Sequence, residues 1–222
     1  MNDEEIGGGI KGYRVFAYLY DLENWLLTLP AGGQQSFQKE FIDLVDPEPG
    51  NSILELCCGT GNITQMLAKR VGEGAKITAS DISPDQLRIA KWKANKNNLD
   101  IDYSLQDASK TSYPPAAFDK VVISGAFHEM ESETRKAVFT EVIRLLKPGG
   151  SFIVSEFNRP RHWLGSVFFR LHNNPLNQER HIISQLVDGG LESELSQAGF
   201  TVEEERLAMF EVAHFLRCSV AA

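Results

Sequence analysis

Apolar positions along the chain recur with two different periods, and the change from one to the other marks out the elements. Short runs of strand length lie at 52–57, 76–80, 101–105, 120–124 and 151–156. The first, Ser-Ile-Leu-Glu-Leu-Cys, has the β-rich character of a buried parallel strand. Between the runs the spacing becomes helical, as in Ile63, Met66, Leu67 and Val71, or in Val138, Val142, Leu145 and Leu146 on one stripe of a helix over 132–146. The clearest helix start is Ser83-Pro84-Asp85-Gln86, where Ser83 can cap, Pro84 takes the first helical position and Gln86 can complete a capping box. Lys147-Pro148-Gly149-Gly150 stops the helix before the fifth strand. Strand and helix in regular alternation predict a parallel sheet covered on both faces.

Two further patterns flank this core. Upstream, Val15, Tyr18, Leu19, Leu22, Leu26 and Leu29 form one stripe of a helix over 13–29, and a second helix is expected over 36–45. Downstream, a helix near 191–198 precedes two alternating segments, 201–208 and 210–220, that read as an antiparallel hairpin. The predicted architecture is α/β: a doubly wound, mostly parallel seven-stranded sheet with an antiparallel C-terminal hairpin. Residues 1–50 form an N-terminal helical cap, and 51–222 the main domain, interrupted by a lid-like insertion at about 158–186.

Composition narrows the range of partners. The chain has 222 residues, 42% of them hydrophobic and 23% charged, with a formal net charge of -8. An acidic balance disfavours nucleic acid, which is held by a surplus of Lys and Arg, so a small molecule is the expected partner. No apolar run reaches the length of a membrane span and the first residues are acidic, so a cytoplasmic location is expected. Cys57, Cys58 and Cys218 suit neither a disulfide framework nor a cysteine metal knuckle. They read as reduced core residues, and no metal site is expected.

The candidate chemistry centres on Glu55-Leu56-Cys57-Cys58-Gly59-Thr60-Gly61-Asn62, a glycine turn between the first strand and the helix that follows. Such a turn brings backbone close to a ligand and points the free N–H groups of a helix start at it. A dinucleotide fingerprint would place a third glycine where Thr64 stands, and Glu55 would repel a pyrophosphate. S-adenosylmethionine, with an ammonium, a carboxylate and a sulfonium but no phosphate, resolves the conflict. At the end of the second strand Asp81 can accept both ribose hydroxyls, and Ile82 can pack on the adenine. After the third, Asp107 can take the adenine amino group. Three strand ends thus converge where open parallel sheets bind ligands.

The sequence resembles the class I S-adenosylmethionine-dependent methyltransferases. Their first motif, an acid followed by x-G-x-G-x-G, is matched at Glu55, Gly59 and Gly61, with Cys57 at the first glycine. The resemblance continues through Asp81, Asp107-Ala108, Phe118-Asp119-Lys120-Val121-Val122 and Leu146-Lys147-Pro148-Gly149-Gly150. It implies a Rossmann-like methyltransferase fold and an S-adenosylmethionine site built from Glu55, Cys57, Gly59, Thr60, Gly61, Asp81, Ile82, Asp107, Ala108 and Ser124. Tyr20 would close over the cofactor from the first helix. Tyr20-Asp21 with Asn24, the segment Ser155-Glu156-Phe157-Asn158-Arg159-Pro160 and the insertion look like the ubiquinone and menaquinone biosynthesis methyltransferases and their lipid-methylating relatives.

The expected reaction is methyl transfer to a small apolar or anionic acceptor, quinone-, lipid- or phenol-like, in a monomer or homodimer. Methylation of a macromolecule and a non-catalytic S-adenosylmethionine-binding subunit or sensor are the alternatives. In-line transfer needs positioning and removal of water, and a base only where the acceptor must lose a proton. His128, past the fourth strand, is the candidate base or else orients its loop, while Glu129 suits a helix start. Tyr20 would lie nearest the reaction with it. Arg88, Lys91, Lys93 and Lys96 read as the wet face of a helix. In the insertion, the stripe Trp163, Leu164, Val167, Phe168 and Leu171 is flanked by arginines and histidines. It suggests a lid over the acceptor in which His162 and Trp163 touch substrate, a helix on an anionic membrane surface, or a helix packed on the core.

Overall fold

Seven strands form one sheet in the order β3-β2-β1-β4-β5-β7-β6. The computed structural model describes residues 33–72, 74–172, 180–187 and 190–221, so the expected 13–29 helix and Tyr20 lie outside the described residues. In chain order the elements are α1 (Gln34–Val45), β1 (Ser52–Leu56), α2 (Asn62–Val71), β2 (Lys76–Asp81), α3 (Pro84–Lys96), β3 (Asp102–Leu105), β4 (Phe118–Ser124), a single 3-10 turn (Phe127–Glu129), α4 (Ser132–Leu145), β5 (Leu146–Phe157), α5 (Trp163–His172), α6 (Arg180–Val187), α7 (Gly190–Gln197), β6 (Phe200–Ala208) and β7 (Ala213–Val220). The five strands β1 to β5 pair in parallel, and β7 runs antiparallel between β5 and β6.

Strand alternation sorts the apolar side chains onto two faces. Leu54, Leu56, Val121, Ile123, Phe152, Val154, Leu216 and Cys218 meet α4, α6 and α7 through Val138, Phe139, Val142, Leu145, Ile182, Leu186, Leu191 and Leu195. On the opposite face Ile53, Ile77, Val122, Ile153 and Phe215 meet α1 and α2, with Phe41, Leu44, Val45, Ile63 and Leu67. A third, smaller cluster joins Ala79 and Tyr103 to Leu87, Ala90 and Ala94 of α3. Both faces are covered, as a parallel sheet requires.

At α3 the predicted start forms in half. Ser83 accepts a hydrogen bond from the Gln86 N–H at 3.4 Å with Pro84 at the first position, but the buried Gln86 Oε1 has no hydrogen-bond partner among the described residues. The helix expected over 132–146 ends one residue early, and β5 starts at Leu146 instead of residue 151. Leu146 pairs with Phe118, then Lys120 pairs with Ser151 across a register shift. Pro148, which lacks an N–H, and Gly149, at φ +77°, fall in the irregular stretch.

The closing hairpin also departs from expectation. Residues 210–212 were expected in the second strand. However, Met209, Phe210 and Glu211 take φ values of +52°, +54° and +71°, a left-handed run that no strand accommodates. The segment 158–186 divides in two. Its second part, α6, buries Ile182, Ile183 and Leu186 and so serves as scaffold. Its first, α5, leaves Trp163 69% and Val167 51% exposed.

Candidate cofactor and active site

β1 delivers the chain into a tight left-handed turn. Cys57, Gly59 and Gly61 have φ of +56°, +53° and +75°. A Cβ on Gly61 would lie 2.7 Å from the Tyr103 hydroxyl and 3.0 Å from the Ala90 Cβ, so glycine there lets α2 approach α3 and β3. The turn is tied to the end of β2: the Cys58 N–H donates to the Ser80 carbonyl at 3.0 Å and the Gly59 N–H to Asp81 Oδ2 at 2.8 Å. Asp81 Oδ1 accepts from the Ser83 N–H at 2.8 Å. One carboxylate therefore fastens two loops, and its remaining lone pairs can still accept ligand hydroxyls.

Glu55 lies beneath the turn, only 2% exposed. It accepts a short hydrogen bond from the Thr64 hydroxyl, so the residue in the third-glycine slot is the partner of the motif's acid. Burial pushes the Glu55 carboxyl up to about 8; the Thr64 bond opposes this and the Asp81 charge adds to it. Thr60 is buried, and its hydroxyl accepts from Lys93 Nζ at 3.0 Å, as Asn62 Oδ1 does at 2.9 Å. Lys93 was expected on a solvated face. It instead braces the glycine turn from α3.

The electrostatics of the turn bear on which ligand fits. The Cys57 thiol is pushed up to about 12, first by burial and then by the negative charges of Asp81, Glu129, Glu55 and Asp107. Acids from the ends of β2, β3 and β4 thus act on one point, while Glu55, raised to about 8, stays neutral below that pH. Such a field suits a sulfonium and an ammonium and opposes a phosphate, so the residues present fit S-adenosylmethionine.

The remaining strand-end residues are placed as follows. Ile82 stands 71% exposed at the end of β2. Asp107 is exposed and accepts from the Ser109 N–H and hydroxyl at 2.8 and 2.7 Å, whereas Ala108 faces the core. Their loop is anchored to α4, where Glu141 accepts from the Thr111 N–H and hydroxyl at 2.8 and 2.6 Å. Arg144 holds the Glu141 carboxyl down to about 2 against the opposing effect of burial. Ser124 ends β4 opposite Ser155 of β5.

Just beyond Ser124, the 3-10 turn carries His128. Its Nδ1 lies 2.9 Å from Oε1 of Glu156 on β5. Glu156 is 3% exposed and also accepts the N–H groups of Phe127, His128 and Phe157 at 2.8, 3.2 and 2.8 Å. Burial alone would raise its carboxyl, but the His128 charge and these hydrogen bonds together lower it. Phe157 packs edge-on against the imidazole, with ring centroids 4.9 Å apart. The glutamate fixes the ring tautomer: with Nδ1–H donated to Glu156, Nε2 is the basic nitrogen, 4.0 Å from Glu129 Oε1. Sequence reasoning had Glu156 only in a resemblance motif and did not pair it with His128.

His162 and Trp163 lie at the start of α5, docked on the tip of the β6–β7 hairpin. The His162 ring stacks on Phe210 at 5.3 Å and beside Trp163 at 6.3 Å. Glu211 Oε2 accepts the N–H groups of Arg161 and His162 at 2.7 and 3.0 Å. The hairpin tip is in turn tied to the end of β5, since the Asn158 N–H donates to the Val212 carbonyl at 2.7 Å.

A sheet of this order, with a carboxylate-rich glycine turn at the end of its first strand, is the methyltransferase arrangement, and the chain belongs to the class I S-adenosylmethionine-dependent methyltransferases. S-adenosylmethionine is its cofactor. The methyltransferase domain family matches residues 53–150. Among individual relatives, an uncharacterized methyltransferase of Synechocystis is 33% identical over 86% of each chain. The demethylmenaquinone methyltransferase of Thermus thermophilus is 33% identical over 69% of this chain and 67% of its own. The ubiquinone/menaquinone biosynthesis C-methyltransferase UbiE of Hydrogenovibrio crunogenus is 30% identical over 63% of this chain, a match spanning 54% of that protein. In fold, a methyltransferase of Aquifex aeolicus superposes with a TM-score of 0.68 at 17% identity, covering 83% of this chain and 89% of its own. The [4+2]-cyclase SpnF gives 0.64 at 19%, covering 84% and 80%. The second likeness shows that the fold alone does not determine the reaction.

Proposed function

We propose that the chain transfers the methyl group of S-adenosylmethionine to a small apolar or anionic acceptor of quinone-, phenol- or lipid-like chemistry, with His128 as general base. The observation that carries this reading is the His128–Glu156 pair at the carboxyl ends of β4 and β5, where a buried carboxylate holds the imidazole with Nε2 as acceptor. A base held in this way serves an acceptor whose hydroxyl or activated ring carbon must lose a proton as the methyl arrives. The cofactor supplies the electrophilic methyl group. Asp81 and Asp107 would hold its ribose and adenine ends, with Ile82 against the adenine and Ser124 at the crevice wall. Glu55, Cys57, Gly59, Thr60 and Gly61 would shape the methionine end. The relatives named for ubiquinone and menaquinone biosynthesis support a quinone-type acceptor.

The α5 face, with Trp163 and Val167 exposed between Arg161 and Arg170, would collect such an acceptor from an anionic membrane surface. This suits a cytoplasmic enzyme that touches a bilayer without crossing it. Among the described residues no helix is long and apolar enough to cross a membrane. The deciding experiment offers demethylated quinols, phenols and phospholipids with methyl-labelled cofactor, with and without anionic vesicles. Label transferred to a quinol or phenol, and lost with Asp81→Ala, is the expected result. Cofactor binding without transfer to any member of the panel would overturn the reading.

A further inference from the structure

We propose that Glu192 of α7, Glu205 of β6 and His214 of β7 form a binding site for a divalent transition-metal ion of the zinc type. His214 is 2% exposed, and among the described residues neither of its ring nitrogens makes a well-aligned hydrogen bond, although its contact with Glu192 holds that carboxyl below the usual range. Its Nδ1 nevertheless faces two carboxylates, lying 3.2 Å from Glu192 Oε1 and 3.7 Å from Glu205 Oε1. One ligand atom from each of the three residues falls within 4.8 Å of the other two. Metal–ligand bonds of roughly 2.0–2.2 Å in a tetrahedral shell place ligand atoms about 3.3–3.6 Å apart, and the two separations from Nδ1, 3.2 and 3.7 Å, are of that size.

The donor set indicates the class of ion. One imidazole and two carboxylates suit zinc, manganese or iron(II). The nitrogen donor disfavours magnesium and calcium, and the lack of sulfur disfavours copper(I). An ion bound there would take the Nδ1 lone pair, replace the direct contact with Glu192 and offset the two converging negative charges. Glu192 and Glu205 are 44% and 49% exposed at their side chains, so an ion can enter from solvent, and a fourth position is open to water. The residues come from three separate elements with no motif spacing, which is why the sequence suggested no metal.

The site also borders the proposed active site. His214 pairs in register with Glu156 across β5 and β7, the residue that holds His128. Directly opposed residues of an antiparallel pair share a face. The titratable groups around His214 are therefore Glu192, Glu205 and Glu156, with His128 beyond. Because the imidazole must be neutral to bind the ion, apparent affinity falls as the solution is acidified.

The test uses the whole protein, stripped of metal by a chelator and titrated with zinc in a calorimeter. Cobalt(II) absorption provides a readout independent of activity, and magnesium serves as the oxygen-ligand control. One ion per chain is expected, with a rise in melting temperature and an intense cobalt d–d band. His214→Gln and Glu205→Gln should each weaken zinc binding at least tenfold and abolish that band. Glu205 is half exposed, so its variant remains informative if the His214 variant does not fold. Zinc binding that is absent, or equal in wild type and Glu205→Gln, would overturn the proposal.

Discussion

Cys57 is the residue at which this chain parts from the glycine of the family motif, and its backbone explains what is at stake. It takes φ +56°, where a side chain costs about 1–2 kcal/mol relative to the right-handed region. Cys57→Gly is therefore expected to be more stable than Cys57→Ala by about 1 kcal/mol, read from urea midpoints, since both remove the thiol and only one removes the strain. Glu55 offers a second test. Its carboxyl stands at about 8 in the fold against 4.5 in the free state. The native state thus keeps a proton that the unfolded chain releases, and the stability this provides is complete below pH 4.5 and is lost as pH rises toward about 8. Glu55→Gln, which stays neutral, should flatten that decline in a series of melts from pH 5 to about 8. Both residues could be singled out from the sequence. The Thr64 bond to Glu55 and the Lys93 brace could not, because each joins elements whose faces meet only once the sheet has been covered.

At the scale of elements, the 3-10 turn and β5 combine into one unit through three hydrogen bonds from Phe127 and His128 to the Glu156 carboxylate. His128→Gln should lower kcat by about 100-fold or more while leaving cofactor affinity near wild type. Glu156→Gln, which alters the tautomer and charge of the ring without removing it, should shift the pH profile of kcat. A common loss of cofactor binding in both variants would instead mark the pair as structural. α5 depends on a different contact. A Cβ on Gly165 would fall 2.1 Å from the Phe210 carbonyl oxygen and 2.7 Å from the Pro160 Cβ. Gly165→Ala should therefore displace α5 from the hairpin tip at a cost of about 1–3 kcal/mol, detectable as faster proteolysis between Arg161 and Arg170. The main strands and helices were legible from periodicity, because burial on one or two faces imposes it. The starts of β5 and β7 were not: β5 begins at Leu146 and runs through an irregular stretch with Gly149 left-handed, while the left-handed turn Met209 to Glu211 delays β7 to Ala213, and hydrophobic patterns carry no record of φ.

At the scale of the whole molecule, a net charge of -8 would hold the protein off an anionic bilayer were the charge evenly spread. It is not, and the α5 surface concentrates arginine beside exposed Trp163 and Val167. Binding to anionic vesicles is expected to fall steeply between low and physiological salt, and to weaken further with Trp163→Ala. Cosedimentation would measure both, and binding indifferent to either would assign α5 to a purely internal role.

The order of strands has a consequence for how the protein is made. β7 follows β6 in the chain but lies inside it, against β5. As the chain leaves the ribosome, β5 is complete long before its outer neighbour exists, and β6 has nothing to pair with when it emerges. Synthesis proceeds at roughly 5–20 residues per second, so for several seconds the nascent sheet presents an open, apolar edge of the kind that recruits other chains. α6 and α7, made in that interval, can cover one face of the sheet but not its edge.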